Sequence, residues 1–206
     1  MTILLYLNDI ATQQAKPTES TMKIFHQLLD YMATHPKSII RFRAYDMILN
    51  IHSDASCCSA GRGRSRASGY FFLGIIPVNG QQIKLNGNIH ITCAILKPVA
   101  ASAAEAELGP LFLNAREEKL LRITLQELVH PQPPTPIHVD NTTAVGIVNN
   151  VIKRQRSRAM EMRYFWLLNQ YCQKYLDISH QPGQENLGDY PMKHHNGTVT
   201  HHVFPC

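Results

Sequence analysis

Four acidic residues lie where this chain could do chemistry, two at the ends of predicted strands and two in predicted helices. Asp54 closes the run LNIHSD and Asp140 closes IHVD, each after a short apolar strand pattern. If these two strands are parallel neighbours, the aspartates emerge near one edge of the sheet, which the helices carrying Glu107 and Asp189 could cover. Converging carboxylates repel one another, so such a cluster is physically reasonable around divalent metal. The alternative is that each residue caps a turn or a helix start.

The donor atoms and the distribution of charge indicate which chemistry such a cluster would do. Carboxylate oxygens favour magnesium or manganese over zinc, and two such ions ~4 Å apart would activate a water and stabilise the leaving oxygen of a phosphodiester. The net charge of +5 comes from Arg62, Arg64 and Arg66 and from the stretch 153–163. Clustered cations favour a polyanionic partner such as nucleic acid, although a solvated basic face explains them equally well.

The order of the predicted elements indicates how these residues are positioned. Three hairpin-linked strands come first and are followed by helix, strand, helix, helix, strand and helix, which is typical of an α/β mixed sheet with its first strand central and helices on both faces. The predicted strands are Met47–Asp54, Ala67–Ile76, one within Lys84–Leu96, Ile137–Asp140 and Leu176–Ser179; the predicted helices follow Val99, Asn141, Arg158 and Leu187.

Gly109-Pro110 interrupts the predicted helix that carries Glu107. Proline has no amide hydrogen and collides with the carbonyl four residues earlier, that of Ala106. We therefore expect a kink or break immediately after Glu107.

The two ends of the chain differ in sequence pattern from its central part. Residues 1–46 contain an amphipathic helix after Pro17-Thr18, which either packs on the main domain or is the remnant of a larger upstream module. Residues 47–195 form the main domain, and residues 196–206 form a His-rich flexible tail. A zinc site is the alternative for this end of the chain, although its spacing fits no zinc pattern well; its residues would be His194, His195, His201, His202 and Cys206.

Cysteine usage and hydropathy limit the class of protein. The five cysteines show no CxxC spacing and no disulfide density, which indicates a reducing compartment. No apolar run approaches the ~20 residues of a membrane span, and the N-terminus lacks the pattern of a signal peptide. We expect a soluble intracellular protein that is not secreted and makes no membrane contact, in the cytoplasm or the nucleus.

Five motifs in series resemble one known family. The runs SDAS with GRSRASGYFFLG, AEAEL, HVDNTTAV, RSRAMEMRY and PGQENLGDYPMKHH are similar, in this order, to the ribonuclease H domain of copia-type LTR retrotransposon Pol polyproteins. The resemblance covers about residues 47–195, and residues 1–46 resemble the segment that joins polymerase to ribonuclease H. No Y-x-D-D polymerase motif is present. The chain therefore resembles the C-terminal part of a reverse transcriptase.

The resemblance implies a ribonuclease H-like fold with a five-stranded mixed sheet, the first three strands antiparallel and the others parallel. It implies an endonuclease that hydrolyses the RNA strand of RNA/DNA hybrids with two Mg²⁺ ions, for which Mn²⁺ can substitute. Asp54 would bridge both ions, Glu107 and Asp140 would complete one site, and Asp189 would bind the other. Backbone and 2′-hydroxyl contacts would recognise the hybrid with little sequence preference.

The remaining roles are less specific. His180 lies where a loop histidine could help product release, by analogy with cellular relatives; a plain surface histidine is the alternative. Arg62, Arg64, Arg66 and Asn141 are candidate substrate contacts. The missing polymerase portion of a Pol polyprotein is a candidate partner.

Several positions depart from the family pattern, and they leave other functions open. Besides Gly109-Pro110, the departures are Ala103-Ala104, Met192 and Cys57-Cys58, none of which removes a candidate ligand. They suit a catalytically weak or inactive hybrid-binding remnant as the alternative function. A third possibility is an integrase-like strand transferase, against which the fourth carboxylate argues.

Overall fold

The computed structural model describes residues 3–37, 39–75, 85–97, 99, 103–149 and 158–193. The candidate zinc residues of the tail fall outside these ranges. None of the described helices is both long and apolar enough to cross a membrane. The helices are α1 (Leu4–Gln13), α2 (Glu19–Thr34), α3 (Ala103–Glu127), α4 (Thr142–Val148) and α5 (Arg158–Cys172); the strands are β1 (Ile48–Ala60), β2 (Arg64–Gly74), β3 (Asn88–Ile95), β4 (Thr135–Val139) and β5 (Leu176–His180).

The five strands form one mixed sheet in the order β3-β2-β1-β4-β5. β1 pairs with β2 and β2 with β3 in antiparallel fashion, whereas β1 pairs with β4 and β4 with β5 in parallel. The first strand is therefore central, as the sequence predicts. This arrangement confirms the predicted fold class, a ribonuclease H-like α/β fold with a five-stranded mixed sheet.

One face of the sheet carries the main apolar core. Side chains alternate along a strand, so the fully buried Leu49 and Ile51 of β1 point to the same face as Phe71 and Ile137. The helices α3, α4 and α5 cover this face, and their contribution to the core includes Leu111, Val148 and Leu167.

The opposite face of the sheet is more polar. Asn50 and His52 of β1 are both completely buried there beside Tyr70 and Phe72 of β2. Leu187 packs on the two aromatic rings. This face is covered by α1 and by the chain from Gly183 to Met192, which forms two short 3₁₀ turns.

The helix α3 is continuous from Ala103 to Glu127 with Pro110 in its interior, so of the predicted kink or break after Glu107 the break does not occur. Pro110 still leaves the carbonyl of Ala106 without its usual helical donor. Packing on both sides of the proline holds the helix together. Leu111 is fully buried, and Gly109 lies so close to Leu96 that an added Cβ would be 2.8 Å from its Cδ1.

Two boundaries near the candidate site differ from the prediction. β1 does not end at Asp54 but continues to Ala60, because Asp54, Ala55 and Ser56 still pair with β2. The predicted terminal helix is a single 3₁₀ turn, Tyr190–Met192, with Asp189 at its N-cap position. Pro191 in this turn has no amide hydrogen for a longer hydrogen-bonded run.

The N-terminal segment contains the predicted helix α2, which begins after a capping box formed by Thr18 and Thr21. It also contains α1, which was not predicted from the sequence as a helix of its own. α1 packs against β3 and against the turn Tyr190–Met192. Apolar residues of α2 nevertheless remain exposed, including Met22 and Met32 at 48% each.

Candidate metal centre

Asp54 lies within the central strand of the sheet. It pairs with Ser68 of β2 on one side, and β4 lies on the other side of β1. The parallel pairing of β1 and β4 is recorded at Ile51–Ile137 and His52–His138, just before Asp54. Only 5% of Asp54 is exposed. Asp54 is therefore shielded from most of the solvent, and an unneutralised carboxylate at this position lowers the stability of the folded state.

The carboxylates of Asp140 and Glu107 lie near that of Asp54, although they belong to two other parts of the chain. Asp140 directly follows β4, and Asn141 after it caps α4 by accepting hydrogen bonds from the N–H groups of Thr143 and Ala144. Glu107 lies in the second turn of α3, which packs across β1. The three carboxylates of Asp54, Glu107 and Asp140 offer oxygen atoms that lie within 4.8 Å of one another.

The proximity of these groups has an electrostatic cost. Burial, then the charge of Asp140, raises the pKa of Asp54 to about 7, and Asp189 adds to the effect. Burial, then the charges of Asp54 and Asp140, raises the pKa of Glu107 to about 8. In the described part of the chain, no lysine or arginine forms an ion pair with these three carboxylates. The cluster thus has a high affinity for positive charge, which protons supply when no cation is bound.

The donor set fits a hard divalent cation. It consists of carboxylate oxygens from two strands and a helix, which are the ligands that Mg²⁺ and Mn²⁺ prefer. Among the described residues, no lysine or arginine side chain pairs with the three groups to neutralise them. The residues present are therefore compatible with the predicted metal.

Asp189 lies beside this cluster but outside the group of three. It interacts with the carboxyl group of Asp54 and forms an ion pair with Lys193. Gly188 makes this approach possible, because a Cβ at that position would lie 3.0 Å from both Cβ and the backbone nitrogen of Asp54. The structure places the fourth candidate ligand at the rim of the cluster.

The end of β5 and the loop after it lie close to Asp140. The Nε2 atom of the exposed His180 lies 3.1 Å from the backbone oxygen of Asp140. A Cβ on Gly183 would be 3.2 Å from Oδ2 of Asp140. This histidine thus lies beside the backbone of Asp140, and its role in product release stays a prediction.

The basic residues near β2 are arranged differently from the prediction. Arg66 is only 5% exposed, and its guanidinium is paired with Asp9 and donates to Oδ1 of Asn8 on α1. The prediction that Arg66 contacts substrate is therefore corrected: it anchors α1 to the sheet. Nε of Arg64 donates to the backbone oxygen of Gly61. The side chain of Arg62 and residues 150–157 lie outside the described part of the chain.

Three residues of the site were not predicted from the sequence. Gly188 and Gly183 look like ordinary loop glycines until their distances to the aspartates are known. Asn114 looks like an unremarked polar residue of α3, yet it is completely buried against the sheet. A buried polar residue on a helix face that is otherwise apolar, seven positions after Glu107, is the pattern that could have revealed it.

Comparison with known proteins gives similar sequences and similar solved structures. No protein-family model matches the chain. LC11-RNase H1, isolated from compost and solved in complex with an RNA/DNA hybrid, is 15% identical with a TM-score of 0.48, covering 69% of this chain and 91% of that one. The N-terminal RNase H domain of Rv2228c from Mycobacterium tuberculosis is 12% identical with a TM-score of 0.48, covering 71% of this chain and 94% of that domain.

One sequence relative is the retrovirus-related Pol polyprotein from transposon TNT 1-94 of Nicotiana tabacum. The two are 24% identical over 166 residues. These residues are 81% of this chain but only 12% of the polyprotein, so the chain corresponds to a small part of that relative. The chain is thus similar over most of its length to a retrotransposon Pol polyprotein, which confirms the resemblance inferred from its motifs.

Proposed function

We propose that this protein is a ribonuclease H-like endonuclease that hydrolyses the RNA strand of RNA/DNA hybrids with divalent metal. The observation that carries the proposal is the group of three carboxylates, Asp54, Glu107 and Asp140, whose oxygens lie within 4.8 Å of one another on a ribonuclease H-like sheet. The similarity to a retrotransposon Pol polyprotein supports the choice of substrate. Cleavage of genomic RNA from hybrids suits an element that copies itself through reverse transcription.

The residues of the cluster would divide the work by position. Asp54 is central, since its charge raises the pKa of Glu107, the charge of Asp140 raises the pKa of Asp54, and Asp189 adjoins it. Asp54 would help to hold both of two Mg²⁺ or Mn²⁺ ions, Glu107 and Asp140 would help to hold one of them, and Asp189 would hold the other. Bound ions of this kind supply the charge that activates a water and stabilises the departing 3′ oxygen of the cut strand.

Other residues would act on substrate and product. His180, which lies beside the backbone of Asp140, would assist product release. Arg62, Arg64 and the amide nitrogen of Asn141 are candidates for contacts with the hybrid, whose recognition would run through phosphates and 2′-hydroxyls. The polymerase portion of a Pol polyprotein is the proposed protein partner, since the matched relative is such a polyprotein.

Cleavage of a labelled RNA strand in an RNA/DNA hybrid tests the proposal. Wild type, Asp54→Asn and the control Asp177→Asn, an exposed aspartate of β5, are purified identically and assayed with Mg²⁺, Mn²⁺ or chelator. We expect metal-dependent cutting by wild type and Asp177→Asn and none by Asp54→Asn. Equal cutting by all three would mean contaminating host ribonuclease H. Absence of metal-dependent cutting by folded wild type would favour the alternative, a non-catalytic hybrid-binding remnant.

A further inference from the structure

Asn114 connects the helix that carries Glu107 to three strands of the sheet. It lies on α3 seven residues after Glu107, which is two helical turns, and it is completely buried. Its Nδ2 donates to Oγ of Ser53 at 2.9 Å and to the backbone oxygen of Ser68 at 2.7 Å. Its Oδ1 accepts a 2.8 Å hydrogen bond from Oγ1 of Thr92. A single side chain thus binds β1, β2 and β3.

These contacts follow one row of residues across the sheet. Ser53 of β1 pairs with Gly69 of β2, and Gly69 pairs with Thr92 of β3. The glycine in the middle makes room for the amide: a Cβ there would lie 2.4 Å from Oδ1 of Asn114 and 2.7 Å from Oγ1 of Thr92. Real Cβ atoms do not approach so closely. Gly69 and Asn114 are therefore fitted to each other.

The row adjoins the cluster. Ser53 is the residue before Asp54, and Ser68, whose carbonyl accepts from Asn114, is the partner of Asp54 in the pairing of β1 with β2. On the helix side, Pro110 lies between Glu107 and Asn114 and removes a helical hydrogen bond from the carbonyl of Ala106. The helix backbone by itself is thus weakened between its two functional positions.

We infer that Asn114 is a positioning residue that fixes Glu107 against Asp54 and thereby sets the divalent-metal affinity of the cluster. It acts through α3 and its three hydrogen bonds. The inference rests on the proposed function, because it takes the cluster to be a metal site. If Asn114 served stability alone, its removal would lower the free energy of unfolding but leave the metal affinity unchanged.

Gln132 provides a matched control. It is 8% exposed, its Oε1 accepts from the N–H of Leu49, and its Nε2 donates to the backbone oxygens of Met47 and His130. It therefore also makes three hydrogen bonds and also fastens β1, but at the end of the strand away from Asp54. Its loss should cost stability without reaching the cluster.

The experiment measures binding of Mn²⁺ alone by calorimetry and unfolding by urea without metal, for wild type, Asn114→Ala and Gln132→Ala. We expect both variants to lose stability. Asn114→Ala should bind Mn²⁺ about 10- to 100-fold more weakly, which is the range seen when groups that orient metal ligands are removed. Gln132→Ala should bind Mn²⁺ as wild type does.

Two further variants keep the test informative if Asn114→Ala does not fold. Thr92→Val removes only one of the three hydrogen bonds and should weaken Mn²⁺ binding less than Asn114→Ala. Gly69→Ala displaces the amide without deleting it, so it should weaken Mn²⁺ binding too, and in combination with Asn114→Ala it should add little. If the losses of Mn²⁺ affinity from Gly69→Ala and Asn114→Ala were additive in the double variant, the two substitutions would not act through one contact.

The possible failures are distinguishable. If wild type binds no Mn²⁺, the proposed function fails and the inference with it. If wild type binds Mn²⁺ and the Asn114 and Thr92 variants bind it equally tightly, only the inference is overturned. An equal loss of affinity in Asn114→Ala and Gln132→Ala would also overturn it, since the effect would then follow general stability.

Discussion

The backbone N–H of Leu187 donates a 3.0 Å hydrogen bond to Nδ1 of His52, two residues before Asp54 on the central strand. Next to this bond, Nδ2 of Asn186 donates to the backbone oxygen of Ser53 at 3.0 Å. The segment that carries Asp189 is thus tied to the strand that carries Asp54 by two buried hydrogen bonds. One of them depends on a neutral imidazole, since a protonated Nδ1 cannot accept.

This dependence predicts acid sensitivity. Burial, then the charge of His138, lowers the pKa of His52 to about 3, and burial lowers the pKa of His138 to about 4. Both groups are therefore more easily protonated in the unfolded chain. Their contribution to stability is present above the ordinary pKa of about 6.5 and is lost as pH falls towards 4 and 3. Urea unfolding with excess Mg²⁺, which offsets the repulsion among the carboxylates of the cluster, should show a falling free energy of unfolding from pH 6.5 to 5.5 and 4.5.

His138→Asn tests the origin of this slope. The asparagine oxygen can replace Nδ1 of His138 in its 2.9 Å contact with Oγ of Ser179, but it does not titrate. We expect a shallower dependence of stability on pH than in wild type. His26→Asn changes an exposed histidine of α2 and is the control. Equal slopes in wild type and His138→Asn would contradict the assignment.

The carboxylate cluster predicts the opposite slope in metal-free protein. The pKa of Asp54 is raised to about 7 and that of Glu107 to about 8, so the folded state holds protons that the unfolded state releases near pH 4. Stability from these groups is full below about pH 4 and is lost as pH rises through 7 and 8.

Asp54→Asn removes one charge from the repelling group. The variant should be more stable than metal-free wild type at pH 8, by on the order of 2 kcal/mol, and about equally stable at pH 4. Excess Mg²⁺ should reverse the order, because binding to the folded state stabilises wild type alone. Thermal unfolding with and without Mg²⁺ measures this, with Asp177→Asn as control. An Asp54→Asn protein less stable at pH 8 without metal would contradict it.

The sequence predicted the parts of this site that depend on order along the chain. The strand order follows from hairpins and crossovers, and the placement of Asp54 and Asp140 at one end of the β1–β4 pair follows from parallel pairing. The ion pair of Arg66 could not be predicted in this way. Its partner Asp9 is 57 residues away and lies on α1, a helix that was not predicted from the sequence. The unbroken α3 is a similar case, since tertiary packing around Pro110 outweighed a local preference.

Gly188 gives a prediction about Asp189. Any side chain at position 188 meets Cβ and the backbone of Asp54 at 3.0 Å, and the backbone of a central strand cannot easily move. Gly188→Ala should therefore push Asp189 away from Asp54 and weaken Mg²⁺-dependent cleavage about tenfold or more, as expected for a displaced ligand. Cleavage rates across a Mg²⁺ titration measure the effect.

Gly61→Ala is the control for this substitution. A Cβ at Gly61 would meet nothing within 4 Å, so its cleavage rate should equal that of wild type. If Gly188→Ala cleaves like wild type at every Mg²⁺ concentration, Asp189 has no part in metal binding.

The ion pair of Arg66 and Asp9 predicts how the N-terminal segment is attached. The side chain of Arg66 is 6% exposed and that of Asp9 is 30% exposed, so the cation is the more deeply buried partner. Asp9→Asn leaves this buried guanidinium without its counter-ion, and we expect a loss of about 1–3 kcal/mol in the free energy of unfolding. Arg66→Met removes the buried charge itself and leaves only the more exposed Asp9 without a partner, so it should cost less than Asp9→Asn.

The ion pair anchors α1, which also contacts the turn after Asp189. Because both variants remove this ion pair, both should raise the rate at which a protease cuts between α1 and β1. Proteolysis that is equally slow in wild type and both variants would show that the ion pair does not hold α1 in place.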